Sequence, residues 1–314
     1  MRNRHIIAFC CFLLLIAFSG CSSVPEQPET VSQTKTRAAE YTDYGNRYFD
    51  QALFDQALKF YAMALENNIA VDHKEGIILS RDSIGQTYLM MGLFTEADSA
   101  LQAARELAVQ IARKDLELRV LNSQGKLALN QGDTEKAGRL FNEALLLLES
   151  SDNPAANVQA DIYHSIGALN KLTGDLQEAR ANLEQSIRIN SRLDREEEIA
   201  GSYYMLASVF SKLEDFSTAR EYLLSALSID KKIENKLGIA DDYFALGIVT
   251  EKMGKLDEAY LHFQTALDIY AVLNRTDSTI ETLSFLTGIA EELGLMNEAE
   301  IYKNTLERIE GTLR

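Results

Sequence analysis

The sequence predicts an all-α fold, a solenoid of about seven helix-turn-helix repeats, from three observations. No stretch alternates cleanly between apolar and polar residues, as a half-buried β-strand would. Glycines suited to tight turns recur at a fixed place. Above all, one alanine recurs every 40 residues, with a single interval of 42, at Ala57, Ala97, Ala137, Ala179, Ala219, Ala259 and Ala299. Self-similarity at one period is typical of a solenoid, where each unit buries its apolar face against its neighbours.

Each repeat places small and large residues at helical spacing around this alanine. In the first repeat, Gly45 stands twelve residues before Ala57, Tyr61 four residues after it and Ala64 seven residues after it. The same order of small, small, large and small residues recurs along the chain. Residues at i, i+4 and i+7 share a helix face, so we expect two helices to approach closely beside each large residue.

A second glycine, five residues before the alanine, marks a turn between two helices, as Gly92 does in the second repeat. A helix C-terminus favours a residue that tolerates positive φ. The following segments open with candidate N-caps at Asp133, Asp175 and Asp215, and Asp175 with Glu178 fits a capping box. Each period is therefore predicted to be helix, tight turn, helix.

This pattern resembles the tetratricopeptide repeat. Tyr48, Tyr88 and Phe210 match its aromatic position, but the chain has no tryptophan, and its period of 40 resembles the longer variant of kinesin light chain. The resemblance covers residues 38–314, with repeats starting near 38, 78, 118, 160, 200, 240 and 280. It implies a right-handed α-α superhelix whose first helices line a concave, ligand-holding face.

Two places depart from the pattern. The single interval of 42 residues coincides with the turn-forming run 150–154, where we expect a longer loop. The last repeat carries Lys303 and Leu306 at the positions that are large and small elsewhere. Terminal repeats meet solvent on one face, so we interpret these two residues as part of a cap.

The N-terminus resembles a bacterial lipoprotein signal peptide. Basic residues precede an apolar run over residues 6–18, and two small residues stand directly before Cys21, although Phe18 replaces the usual leucine. The apolar run is shorter than the ~20 residues of a bilayer span. Residues 1–20 are therefore predicted to be removed, and the resemblance implies lipidation of Cys21 by acyl chains such as palmitate. An uncleaved membrane anchor is the alternative.

Residues 21–37 are predicted to be a lipidated flexible tether, because they are polar and hold two of the three prolines. Ser22 follows the lipidated cysteine, and in lipoproteins of enterobacterial type this implies the outer membrane, facing the periplasm. The three cysteines are Cys10, Cys11 and Cys21, so the mature chain is predicted to hold no disulfide.

The chain has a formal net charge of −16 at pH 7, which disfavours nucleic acid and anionic membrane surfaces as partners. The register of the resemblance nevertheless implies a polar to basic groove for an extended or helical peptide. The alternative is that its lysines complement helix dipoles. The predicted groove residues are Asn46, Gln86, Arg119, Asn122, Lys126, Asn130, His164, Lys171, Tyr204, Lys212, Phe244 and Lys252.

Common catalytic motifs are missing from the sequence. It contains no H-E-x-x-H, G-x-S-x-G, P-loop or G-x-G-x-x-G pattern, and its glycines are used by the repeat. His73, His164 and His262 fall on separate predicted helices without metal-ligand spacing. We therefore expect neither enzyme activity, nor a cofactor, nor a metal site.

These observations predict an exported, membrane-anchored scaffold that binds protein or peptide partners of the cell envelope through its concave groove. Two alternatives remain open at the level of sequence. One is a regulatory partner of a cell-wall enzyme, or an assembly factor for outer-membrane proteins or type IV pili. The other is a structural protein that self-assembles into homo-oligomers.

Overall fold

The computed structural model describes residues 30–151 and 154–313 of the chain. In these ranges the backbone forms fourteen α-helices and no β-strand. The helices are α1 (Val31–Asp50), α2 (Phe54–Ala70), α3 (Lys74–Met90), α4 (Phe94–Gln110), α5 (Lys114–Asn130), α6 (Thr134–Glu149), α7 (Ala156–Thr173), α8 (Leu176–Asn190), α9 (Glu196–Lys212), α10 (Phe216–Lys232), α11 (Lys236–Lys252), α12 (Leu256–Val272), α13 (Thr276–Glu292) and α14 (Met296–Leu313).

The helices form seven consecutive pairs, which confirms the predicted solenoid of helix-turn-helix repeats. From α3 onward, each first helix begins four residues before the predicted repeat start, as α3 does at Lys74 instead of 78. Helix α1 begins at Val31, inside the predicted tether, because Thr30 and Gln33 form a capping box. The predicted signal peptide, Cys21 and the first part of the tether lie outside the described residues.

A steric fit between a glycine and a large side chain joins the two helices in five of the seven repeats. The recurring alanines up to Ala259 are fully buried, and so are large partners such as Phe141 and Phe263. A Cβ atom added to Gly125 would lie 2.2 Å from Phe141 Cε1, and one added to Gly247 would lie 2.7 Å from Phe263 Cδ1. Glycine is therefore required because the aromatic ring packs directly on the backbone of the first helix.

The turns within repeats use the left-handed backbone conformation. Gly92 and its four counterparts have φ between 73° and 93°, whereas Ala52 and Glu214 hold the same place with φ of 57° and 61°. Asp133 and Asp215 cap the following helices through side-chain bonds to backbone N–H groups, as predicted. The capping box at Asp175 was wrong: its side chain makes no cap bond, and Oδ2 accepts instead from Thr173 Oγ1 at 3.0 Å.

The structure shows both departures from the repeat pattern at the predicted places, one after α6 and one in the last repeat. The connection between α6 and α7 covers residues 150–155, whereas α2 and α3 are joined by residues 71–73 alone. In the last repeat the side chain of Lys303 is exposed, as expected for a helix that faces solvent. No helix in the described ranges combines the length and the apolar character that crossing a membrane requires.

The first helices form the inner side of the stack. Each first helix from α1 to α9 contacts the first helix of the next repeat. Within the described residues, no contact of similar extent joins the second helices of neighbouring repeats. Helices on the inside of a curved stack lie closer together than helices on the outside. The first helices therefore line the concave side, as the resemblance implied.

Repeats meet through a buried layer near the end of each second helix and the start of the next first helix. Ala108 and Val120 belong to one apolar cluster, so the junction between the second and third repeats is apolar. At the junction between the first two repeats the same places hold Asn68 and Ser80, and Asn68 Nδ2 donates to Ser80 Oγ over 3.2 Å. Polar junctions demand hydrogen-bond partners, because unpaired buried polar groups are costly.

Polar residues also fill two junctions in the second half of the chain. Between the fourth and fifth repeats, Asn190 Nδ2 and Ser202 Oγ both donate to Ser186 Oγ, over 3.3 and 3.5 Å. Between the fifth and sixth repeats, the corresponding residues are the carboxylic acids Asp230 and Asp242, 4% and 1% exposed. The junction between the fifth and sixth repeats therefore contains a buried pair of acids.

The Asp230–Asp242 pair shares a small polar network. Asn235 Nδ2 donates to Asp230 Oδ1 at 2.9 Å, and Asn235 Oδ1 caps the next helix by accepting from Gly238 N. Burial raises the pKa of Asp242 to about 8, and the neighbouring charges of Asp230 and Asp241 add to this effect. Burial also raises the pKa of Asp230. Near pH 7 the two carboxyl groups therefore hold a proton between them.

The fit at Gly125 predicts a loss of stability in Gly125→Ala. The added methyl group collides with the ring of Phe141, and overpacking of this kind costs about 1–3 kcal/mol. The measurement is urea unfolding followed by circular dichroism. The matched control is Gly288→Ala in α13, where a new Cβ meets no atom within 4 Å and helix propensity favours alanine by up to about 1 kcal/mol. Equal midpoints for both variants would contradict the packing argument.

The raised pKa of Asp242 predicts a pH-dependent effect of Asp242→Asn. Between its ordinary pKa of 3.8 and about 8, the carboxyl group keeps its proton in the folded chain and loses it in the unfolded chain. The native free energy of unfolding therefore falls as the pH rises through this range. Asparagine cannot ionise, so the variant gains stability relative to the native chain between pH 5 and pH 9.

Urea unfolding at pH 5, 7 and 9 measures this gain. Asp268→Asn, an exposed position on the outer helix α12, is the control for the change in net charge. A stability difference between native chain and Asp242→Asn that stays constant with pH would show that Asp242 ionises normally in the fold.

Candidate functional site: an acidic cavity on the concave side

A cavity of about 1010 Å³ opens on the concave side of the stack. First helices α5, α7, α9 and α11 supply part of its wall. The ends of α8 and α10, with the segments that follow α10 and α12, supply more of it. Asp50, Gln51 and Ala52, from the turn of the first repeat, also line it. The superhelix therefore brings the first repeat opposite the fourth to sixth repeats. The volume suits several residues of an extended peptide.

Three of the predicted groove residues line this cavity: Lys126 from α5, His164 from α7 and Tyr204 from α9. Burial lowers the pKa of His164 to about 4, and the charge of Lys126 contributes, so the imidazole is neutral near pH 7. Its Nδ1 atom lies 3.0 Å from Ser202 Oγ. Burial raises the pKa of Tyr204 to about 12, so its phenol stays protonated, and the side chain is 36% exposed.

Three predicted groove residues near the N-terminal end are engaged with other side chains. The buried carboxylate of Asp82 accepts from Gln86 Nε2 at 2.8 Å and from Arg119 Nε at 2.9 Å through the same Oδ2 atom. Asn46 Oδ1 accepts from Tyr61 Oη at 2.8 Å. These contacts stabilise the wall of the first three repeats and are outside the cavity lining.

The predicted lysines mostly contact the ends of neighbouring first helices. Lys171 Nζ donates to Ser208 Oγ at 3.2 Å, and Lys212 Nζ donates to the carbonyl oxygen of Lys171 at 3.4 Å. Burial lowers the pKa of Lys171, and the charge of Lys212 lowers it further. Lys252 is exposed at the end of α11. These positions agree with the alternative that the lysines complement helix C-termini.

The other predicted residues are divided between a polar and an apolar part of the wall. Asn122 is 6% exposed, and no hydrogen bond to its buried Oδ1 is present in the described part of the chain. Asn130 Nδ2 donates to the carbonyl oxygen of Lys126 at 3.0 Å. The ring of Phe244 packs edge-on against Phe263, with centroids 5.4 Å apart, and so belongs to the core.

The charge of the cavity differs from the polar to basic groove that the sequence implied. Eight carboxylic acids line it against the cations Lys126, Lys236 and Arg275. Asp161 and Glu198 form ion pairs with Arg195, which stands behind the wall. The remaining acids, for which the described residues show no ion pair, are Asp50, Glu197, Asp230, Glu234, Asp241 and Asp242.

Part of this acidic lining was detectable from the sequence. Asp161 and Asp241 occupy the second position, and Asp50 the thirteenth, of the same register that identified the predicted groove residues. Asp230 and Asp242 come from the junction layer, whose members follow from packing and not from that register. Tyr270 Oη donates to Asp241 Oδ1 at 2.6 Å, which fixes one of these carboxylates in the wall.

Two family models match the chain. A model described as the MalT-like TPR region matches residues 72–234, and a tetratricopeptide repeat model matches residues 198–271. Comparison with curated protein sequences finds no match.

Solved structures of repeat proteins share the fold. A Rap protein complexed with competence and sporulation factor is 14% identical, with a TM-score of 0.65, covering 89% of this chain and 77% of that one. A signal transduction ATPase with a tetratricopeptide repeat sensor from Pyrococcus horikoshii is 12% identical, with a TM-score of 0.71, covering 89% and 41%.

A third structure, which is built from TPR-like repeats, also shares the fold. It comes from a putative kinesin light chain of Podosopora anserina, whose own TPR-like repeats are nearly identical to one another. Its sequence is 18% identical to this chain, with a TM-score of 0.53, and the match covers 62% of this chain and 95% of that one. At these identities the structures show a common fold alone. Since the MalT-like TPR model matches more than half of its residues, the chain belongs to this tetratricopeptide repeat family.

Proposed function

We propose that this chain is an envelope adaptor of the tetratricopeptide repeat family, which binds an extended segment of a protein partner in its concave cavity. The observation that carries the proposal is the cavity itself, about 1010 Å³ in volume and lined by polar side chains from several repeats. Rigid helices hold these side chains, so a bound segment meets a preorganised surface.

The Rap structure offers a parallel for ligand binding by a protein of this fold. That protein, of similar fold, was solved in complex with competence and sporulation factor. In the present chain, Asp, Glu, Asn and Tyr side chains around the cavity provide acceptors and donors for a main chain that enters it. A regulator of a partner enzyme would bind its partner in the same cavity. It would differ from an adaptor only in that binding changes the activity of the enzyme.

The N-terminal sequence supports the proposed location. A basic start, an apolar run over residues 6–18 and small residues before Cys21 are typical of an exported lipoprotein. Anchoring by a lipid on Cys21 would hold the repeats beside a membrane, with residues 22–30 between the lipid and α1. We propose the outer membrane, facing the periplasm, from Ser22 after the cysteine.

Site-specific photo-crosslinking tests the cavity as the binding surface. We expect p-benzoylphenylalanine in place of Tyr204 to capture a partner upon irradiation of cells that produce the chain, because this side chain lines the cavity and is accessible. The matched position is Leu261, which is 61% exposed on the outer helix α12. Capture that is equal at both positions, or confined to Leu261, would place the binding surface elsewhere.

Metabolic labelling with an alkyne analogue of palmitate tests the anchor. We expect the native chain to incorporate the label and to fractionate with membranes, and Cys21→Ser to lose both properties. The control is the double variant Cys10→Ser and Cys11→Ser, which leaves Cys21 in place and should keep the label. Label that persists in Cys21→Ser, or is missing from the native chain, would contradict lipidation at this residue.

A further inference from the structure

We infer that the acidic part of the cavity accepts a lysine or arginine side chain of the bound segment. The inference rests on the proposed function and adds the chemistry of the ligand. The residues concerned are an acidic cluster of Asp50, Glu197, Asp230, Asp241 and Asp242, together with the ring of Tyr204.

The acidic cluster joins residues that are distant in sequence. Asp50 ends α1, Glu197 begins α9, Asp230 lies near the end of α10 and the remaining two members lie in α11. Partial burial raises the pKa of Glu197, and the charges of Glu198, Asp50 and Asp230 raise it further. The carboxylates of the first, fifth and sixth repeats therefore act on one another across the cavity, and Arg195 offsets their repulsion only in part.

Cations of the described chain compensate the acidic cluster only in part, since Arg275 acts on Asp241 and Arg195 acts on Glu197. Its five members form no ion pair within residues 30–151 and 154–313, in contrast to Asp161 and Glu198, which share Arg195. Lys126, Lys236 and Arg275 also line the cavity, but its eight carboxylic acids outnumber them. An incoming ammonium or guanidinium group therefore enters a region of negative potential.

Asp242 points to a ligand independently of this excess of charge. The residue is 1% exposed and lines the cavity, and no N–H group or hydroxyl of the described residues donates to its buried Oδ2 atom, so the side chain depends on the proton that it shares with Asp230. A buried carboxyl oxygen that lacks a fixed donor is costly, because it has lost its hydration without such a replacement. The N–H groups of lysine or arginine are donors that fit it.

Tyr204 suits the rest of such a side chain. The charges of Asp241 and Asp242 act on its phenol, so the ring stands beside the acidic cluster. An aromatic face accepts the aliphatic stem and the cation of lysine or arginine through apolar and cation–π contact. The described residues contain no group of three or more His, Cys, Asp or Glu positioned to hold a metal ion, so the arrangement favours an organic cation.

Binding of defined peptides tests the inference with the full mature chain. The probe is a fluorescent octapeptide of alternating alanine and lysine, compared in 150 mM salt with octapeptides that carry glutamate or acetyl-lysine at the same places. We expect the lysine peptide to bind at least about tenfold more tightly than the other two, because each loses the charge-assisted contacts. Spermidine as competitor distinguishes a free polyamine from a peptide side chain as the preferred ligand.

Two double variants locate the binding site. Asp50→Asn with Glu197→Gln changes exposed members of the acidic cluster and should weaken binding of the lysine peptide about tenfold or more. Glu221→Gln with Asp268→Asn removes the same charge from exposed positions of outer helices α10 and α12 and should leave affinity unchanged. Circular dichroism of both variants checks the fold.

Three results would overturn the inference: equal affinity for the three peptides, equal loss in both double variants, or tighter binding of spermidine than of the lysine peptide. A partner that crosslinks at Tyr204 while the peptides fail to differ would leave the proposed function standing and remove only the cationic ligand.

Discussion

In five of the seven repeats a large side chain of the second helix packs on a glycine of the first helix, and this contact determines the geometry of the stack. Phe141 on Gly125 and Phe263 on Gly247 fix the spacing and angle of their helix pairs, because there is no room for a Cβ atom. In the fifth repeat Ala207 stands at the glycine position, and it belongs to the same buried apolar cluster as Leu223. Repeating this fit gives a curved stack whose first helices face inward.

The function that we propose follows from what the curved stack places together. Consecutive first helices contribute His164, Tyr204 and Asp241 to one wall, and the junction layer adds Asp230 and Asp242. Most junctions are uncharged, so the acid pair serves local packing poorly: both carboxyl groups are buried, and they retain a proton between them. Residues that cost stability and line a cavity are candidates for binding.

The fold could be predicted well from the sequence, because residues close together in the chain determine the structure of each repeat. The alanine period, the left-handed turns and the caps at Asp133 and Asp215 follow from helix geometry within a few residues of each feature. The charge of the cavity could not be predicted from the sequence, and the reason is physical. Whether Asp50 meets Glu197 depends on superhelical curvature, which sums small rotations over several repeats. The cap at Asp175 failed because Thr173 competes for the same carboxylate.

Calorimetric titration with the alternating alanine and lysine octapeptide, at pH 7 in two buffers of different ionisation enthalpy, tests the central claim most directly. If the ammonium group replaces the proton held by Asp230 and Asp242, binding releases a proton to the buffer, so the observed heats differ between the buffers. The difference should disappear in Asp242→Asn. Heats that agree in both buffers for the native chain, or a difference that persists in the variant, would contradict the account.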